Sequence, residues 1–91
     1  MLFRSPHLVR ATDIDMGQHM NNVVYIRLLL DCFSAKELAS GMIRTIEAHY
    51  ASPCLEGETL GVFCRREEGR CRMAVKHADG RPAVLAQVIF G

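Results

Sequence analysis

The sequence predicts an α+β domain in which one curved antiparallel sheet wraps around a single long central helix. Three observations point there. A strongly apolar stretch runs from Val23 to Phe33; the pattern changes to alternating apolar and polar positions after Gly41; and two turn signals, Glu68-Gly69 and Asp79-Gly80, divide the alternating region into short strands. With 91 residues the chain is expected to form one domain, residues 1–91, because chains this short rarely divide further.

Taken in order, Leu8 to Thr12 reads as a first strand, with Pro6 tolerable near its start or on an edge. A polar turn comes next, and Asn21 or Asn22 is suited to cap the helix after it, since a carboxamide oxygen can accept from an orphan backbone N–H. From Val23 the helix is apolar almost all round, through Val24, Ile26, Leu28, Leu29, Leu30 and Phe33. Only Arg27, Asp31 and Ser34 form a narrow polar stripe. A helix with so thin a wet face is expected to be covered on most sides, with Gly41 as its stop.

Four strands complete the chain. Met42 to Tyr50 sets Ile46, Ala48 and Tyr50 against Thr45, Glu47 and His49. Thr59 to Arg66 places Leu60, Val62 and Cys64 on one side, and Arg70 to His77 opposes Cys71, Met73 and Val75 to Arg70, Arg72 and Lys76. Ala83 to Phe90 is the last strand, and the final three should form an antiparallel meander. Pro53 and Gly57 interrupt between the first two of the four. One sheet curled around one helix is the economical packing of such a series, and it is the arrangement called the hotdog fold.

Composition excludes several classes. A net charge of +1 argues against a nucleic-acid binder. The apolar runs fall well short of a membrane span, and Met1 to Pro6 lack the apolar core of a secretory leader. The four cysteines, at 32, 54, 64 and 71, contain no Cys-x-x-Cys pair, so reduced thiols and a cytoplasmic location are expected. His7, His19, His49 and His77 are scattered without ligand spacing, so neither a metal nor a cofactor is expected. Hydrophobic residues make up 49% of this short chain, which points to a second subunit or further sequence covering part of the apolar surface; a homodimer or higher homo-oligomer is expected.

The chemistry-bearing stretch is Asp13 to Ile26. It gathers two carboxylates, a histidine and two carboxamides directly ahead of the apolar helix, as a reaction site at a helix start would. Asp15 and His19 are the candidate catalytic pair. The competing reading makes Asp15 a turn carboxylate that holds backbone N–H groups, and His19 a structural histidine. Asn21, Asn22, Val23, Tyr25 and Cys54 are the candidate substrate-binding residues. The asparagines also serve as caps, Tyr25 also serves as core, and Cys54, with no sequence cue that would lower its pKa, reads as a small buried hydrophobe before a nucleophile. Arg65, Arg66, Arg70, Arg72 and Lys76 concentrate positive charge on one hairpin, either as a solvated face or as a dock for an acidic partner.

The run from Arg10 to Ile26 resembles the signature of the acyl-acyl-carrier-protein thioesterases, roughly R-x-S-D-x-D-x-N-x-H-V-N-N-x-x-Y-I, with Asp13, Asp15, His19, Asn21, Asn22 and Tyr25 in place. Asp31 and Phe33 are similar to the residues just beyond that signature in bacterial members, and Tyr50, Gly57 and Glu58 resemble the family's downstream continuation. Simpler acyl-CoA thioesterases share part of this pattern. The resemblance implies the second of two tandem hotdog halves, and a thioesterase that releases fatty acid from acyl carrier protein or coenzyme A. It carries catalytic roles onto Asp15 and His19, whereas Gly17 stands where the family has asparagine and Pro53 where it has glutamate. Cys54 aligns with a cysteine proposed as a nucleophile in plant members. On this reading Asp15 activates a water or attacks directly, and the amides at the helix start stabilise the oxyanion. The departures at Gly17 and Pro53 keep open a non-catalytic half that binds acyl chains or serves assembly. An enoyl hydratase is a third reading, because that enzyme also places an Asp/His pair near a helix start.

Overall fold

Alternation after Gly41 produces four strands, and the N-terminus supplies a fifth. A computed structural model describes residues 2–17 and 20–91. The strands are β1 (Leu2–Leu8), β2 (Ile43–Tyr50), β3 (Thr59–Glu67), β4 (Arg70–Lys76) and β5 (Pro82–Phe90), and the helices are α1 (Asn22–Leu30) and α2 (Ala35–Ala39). The five strands form one sheet in the order β1-β3-β4-β5-β2, every neighbour antiparallel. β3, β4 and β5 are the expected meander, and the fold is the hotdog fold.

Period two decides the core. Leu60, Val62 and Cys64 of β3 and Cys71, Met73 and Val75 of β4 are all buried, as the alternation predicts. They meet Val24, Tyr25, Leu28 and Leu29 of α1 together with Val84 and Val88 of β5. Leu29, Met73, Val75, Val84 and Val88 are fully covered. Each such side chain contributes about 1.5–3 kcal/mol relative to exposure.

The first strand differs from expectation. β1 ends at Leu8, and residues 9–12 leave the sheet. The Asp13 carboxylate accepts the Arg10 backbone N–H and turns Ala11–Asp13 into a single 3-10 turn, a local bond that competes with a strand ladder. Pro6 lies within β1, which is an edge strand, where a missing N–H is tolerated.

The long helix is also corrected. It is two short helices, because Ser34 and Glu37 form a capping box: the Ser34 hydroxyl accepts the Glu37 amide at 3.1 Å and the Glu37 carboxylate accepts the Ser34 amide at 3.0 Å. Between the helices Phe33 drops into the core against the Phe90 ring, with the Arg66 guanidinium 4.7 Å over its face. Arg66 also bridges to Glu37 at 2.6 Å, so one cation holds both the break and the new helix. Nor is α1 covered on most sides, since Val23 is 73% exposed and Arg27 lies on the same open side. β2, at the other edge of the sheet, buries neither Ala48 nor Tyr50, contrary to its alternation.

Candidate active site

The polar stretch ahead of α1 closes on itself. Ile14 and Met20 form an isolated antiparallel bridge, and the Asn21 amide donates to the Asp13 carbonyl at 2.8 Å. Asp13 and Asp15 end in opposite surroundings. Asp13 is buried, and its Oδ2 accepts from His7 Nε2 at 2.8 Å and from the Arg10 amide at 3.1 Å, with Arg27 3.7 Å from Oδ1. Burial pushes its carboxyl up, but the Arg10 amide, His7 and Arg27 outweigh that and hold it below its ordinary value. Asp15 is exposed, and its Oδ1 accepts the Gly17 amide at 2.8 Å, closing an Asx turn.

The remaining candidates separate. Asn21 is the N-cap of α1, its Oδ1 accepting the Val23 amide at 2.8 Å. Val23 faces solvent. His19 lies outside the described residues. Asn22 and Tyr25 meet in a crevice of ≈ 240 Å³ at the start of α1, lined by them and by Met20, Tyr50, Ala51, Ser52 and Pro53. Asp15 is not in that lining. The Tyr25 and Tyr50 rings meet edge to face, 5.7 Å between centroids. Cys54 is fully buried close to Tyr25; burial pushes its thiol up, and burial with Cys54 pushes the Tyr25 phenol up, so both are neutral at pH 7. That favours the buried-hydrophobe reading of Cys54.

A polar network runs inward from the crevice wall. Ser52 Oγ lies 2.7 Å from His77 Nε2, and His77 Nδ1 donates to Glu58 Oε1 at 2.7 Å. Two turns bring these groups together. Gly57, at φ +91°, bends the chain so that Glu58 Oε2 accepts the Leu55 amide at 2.6 Å. Gly80, at φ +90°, closes the β4–β5 turn in which the His77 amide donates to the Arg81 carbonyl at 2.9 Å. Burial pushes the Glu58 carboxyl up, yet the Leu55 amide and His77 prevail and hold it below its ordinary value. Cys54, Glu58 and His77 also place three metal-type ligand atoms within 4.8 Å of one another. Both ring nitrogens of His77 are engaged in short hydrogen bonds, so an ion there would have to displace one of them.

None of Ser52, Glu58 or His77 stands out in the sequence as a set, because they lie on either side of β3 and β4. The signal that could have found Glu58 is its place after Gly57 in the downstream pattern. The basic hairpin is partly neutralised, with Arg72 2.8 Å from Glu67 and Arg66 paired to Glu37. A larger open hollow of ≈ 570 Å³ lies on the sheet between Glu47, His49, Arg70 and Gln87, and none of the candidate catalytic or substrate-binding residues lines it.

Residues 2–89 match the model of the acyl-ACP thioesterase C-terminal domain. An acyl-ACP thioesterase from Bacteroides thetaiotaomicron superposes with a TM-score of 0.90 at 26% identity, over 99% of this chain and 37% of that one. The 12:0-ACP thioesterase from Umbellularia californica superposes at 0.81 with 18% identity, over 93% of this chain and 33% of that one. The protein SAV2348 from Staphylococcus aureus, solved in complex with CoA, superposes at 0.81 with 17% identity, over 96% and 72%. The last two likenesses speak to the fold alone. The chain spans little more than a third of the Bacteroides enzyme. No curated protein matches the sequence.

Proposed function

Because the chain belongs to the acyl-ACP thioesterase C-terminal domain family, we propose that it hydrolyses fatty acyl thioesters of acyl carrier protein or coenzyme A to free acid and thiol, in the cytoplasm. The observation that carries this reading is the crevice at the start of α1. Met20, Tyr25, Tyr50 and Pro53 offer an apolar wall to an acyl chain, and Asn22 opens the helix beside them. The positive end of a helix dipole favours the negative charge that develops on a thioester oxygen under attack. Asp15 is proposed as the base that activates water, with His19 orienting it. A positioned base of this kind is worth about 10²–10⁴-fold.

The test is thiol release from acyl chains of graded length on both carriers. The parent should turn over, and Asp15→Asn should lower kcat at least about 10²-fold with an unchanged unfolding curve. A mutant as fast as the parent would remove Asp15 from the mechanism. A second reading, a non-catalytic half that binds acyl chains or completes an assembly, is favoured by Gly17 and Pro53 at two family catalytic positions and by the solvent-facing Asp15. Saturable acyl binding without thiol release would select it.

We also propose a homodimer. β2 is an edge strand that leaves Tyr50 exposed, and Val23 of α1 is open to solvent. Sedimentation at micromolar concentration should return twice the chain mass; a stable monomer would count against it. No helix among the described residues is long and apolar enough to cross a membrane.

A further inference from the structure

Ser52 forms part of the crevice wall and is hydrogen-bonded to a histidine whose other nitrogen is bonded to a carboxylate. That order of groups is the general arrangement by which a serine hydroxyl becomes a nucleophile: a base on Nε2 and an anion on Nδ1 that fixes the tautomer. We propose that Ser52, His77 and Glu58 form a nucleophilic relay and that Ser52 accepts the acyl group from a thioester bound in the crevice. The identity of the acyl donor rests on the thioesterase reading; the relay itself rests on the geometry.

Proton counting allows two states of the relay. Glu58 Oε1 can only accept when ionised, so Nδ1 carries a proton. Ser52 has one proton and two acceptors in reach, His77 Nε2 at 2.7 Å and the Pro82 carbonyl at 2.8 Å. With neutral His77 the hydroxyl points at Nε2, which is the reactive state. With protonated His77, Nε2–H donates to Oγ and the hydroxyl turns to Pro82. The Pro82 carbonyl thus serves the same oxygen when the hydroxyl does not point at Nε2. Glu58 is itself held by the Leu55 amide, and the His77 side chain is almost wholly buried between a half-buried Ser52 and a half-buried Glu58.

The chemistry balances without a co-reactant other than water. Oγ attacks the carbonyl carbon as its proton passes to His77 Nε2. The tetrahedral intermediate collapses with cleavage of the C–S bond, and the leaving thiolate takes the proton from Nε2. Water then attacks the Ser52 ester, giving one proton to Nε2; the C–O bond breaks, Oγ regains that proton, and the carboxylic acid leaves. This covalent route differs from direct delivery of water by Asp15, and the two can be separated.

The experiment treats the full chain with a fluorophosphonate probe and, separately, with dodecanoyl-CoA, followed by acid quench, intact mass measurement and peptide mapping. A covalent adduct on Ser52 from both reagents is expected. Ser52→Ala should lose the adduct and about 10²-fold or more of thiol release, while Glu58→Gln should label several-fold more slowly at a temperature where both variants are fully folded. Thiol release by the parent without any Ser52 adduct, undiminished in Ser52→Ala, would overturn the relay, assign the three residues to pinning the β2–β3 connection, and leave the thioesterase reading intact. Fluorophosphonate labelling of Ser52 without reaction toward dodecanoyl-CoA or dodecanoyl-carrier protein would uphold the nucleophile and overturn the acyl donor. Neither labelling nor turnover would overturn both.

Discussion

The loop before α1 and the connection between β2 and β3 are the two polar regions beside the crevice, and they are built in opposite ways. Among the described residues of the loop, Asp15 and Asn21 serve their own neighbourhood: Asp15 holds Gly17 and Asn21 holds Val23. Around residues 52–58 the side chains reach across the fold, with Ser52 and Glu58 meeting His77 from beyond two strands. A dense polar motif in one short segment is thus no guide to where long-range polar groups converge. Short Asp and Asn side chains find local backbone donors first, and that lowers the energy of the turn whatever the chemistry nearby.

Asp13 is the exception within its loop, and breaking it sharpens the contrast most. Asp13→Ala leaves His7 and the Arg10 amide without their shared acceptor in a buried place, and should lower unfolding stability by about 3 kcal/mol in a denaturant titration. Acid should act on the same group and on Glu58. Both carboxyls are held below their ordinary values in the fold, so their stabilisation is complete above the unfolded values near pH 4 and is lost as pH falls through the lower folded ones. The unfolding midpoint should therefore drop steeply below about pH 4 in the parent and less steeply in Asp13→Ala. Asn21→Ala, which removes only a helix cap, should cost about 1 kcal/mol by the same titration. Asp15→Ala, on an exposed Asx turn, should change stability by less than about 0.5 kcal/mol. If Asp15 proved as costly as Asp13, the division between a local and a converging carboxylate would fail.

The same division explains which parts of the molecule are legible in the sequence. β2 to β5 can be read within a residue or two because alternation and the Gly-bearing turns are local signals. The expectation of a single long helix fails because apolar content from Val23 to Phe33 masks the Ser34–Glu37 capping box, whose two reciprocal bonds start a new helix. The first strand is displaced because Asp13 turns the chain soon after Val9, whose amide still bonds to the Glu58 carbonyl just ahead of β3. Of the candidate site, Asn22 and Tyr25 do line the crevice, whereas no sequence signal groups Ser52, Glu58 and His77.

The amino-acid order by itself determined strands β2 to β5, the buried faces of β3 and β4 and the resemblance to acyl-carrier-protein thioesterases, since each depends on spacing along the chain. Only the folded sheet decided which carboxylate is buried, which edge strand stays open, and which serine stands against a histidine. Those outcomes depend on strand order, β1-β3-β4-β5-β2, which sets distances between residues far apart in the chain and leaves no periodic trace within it.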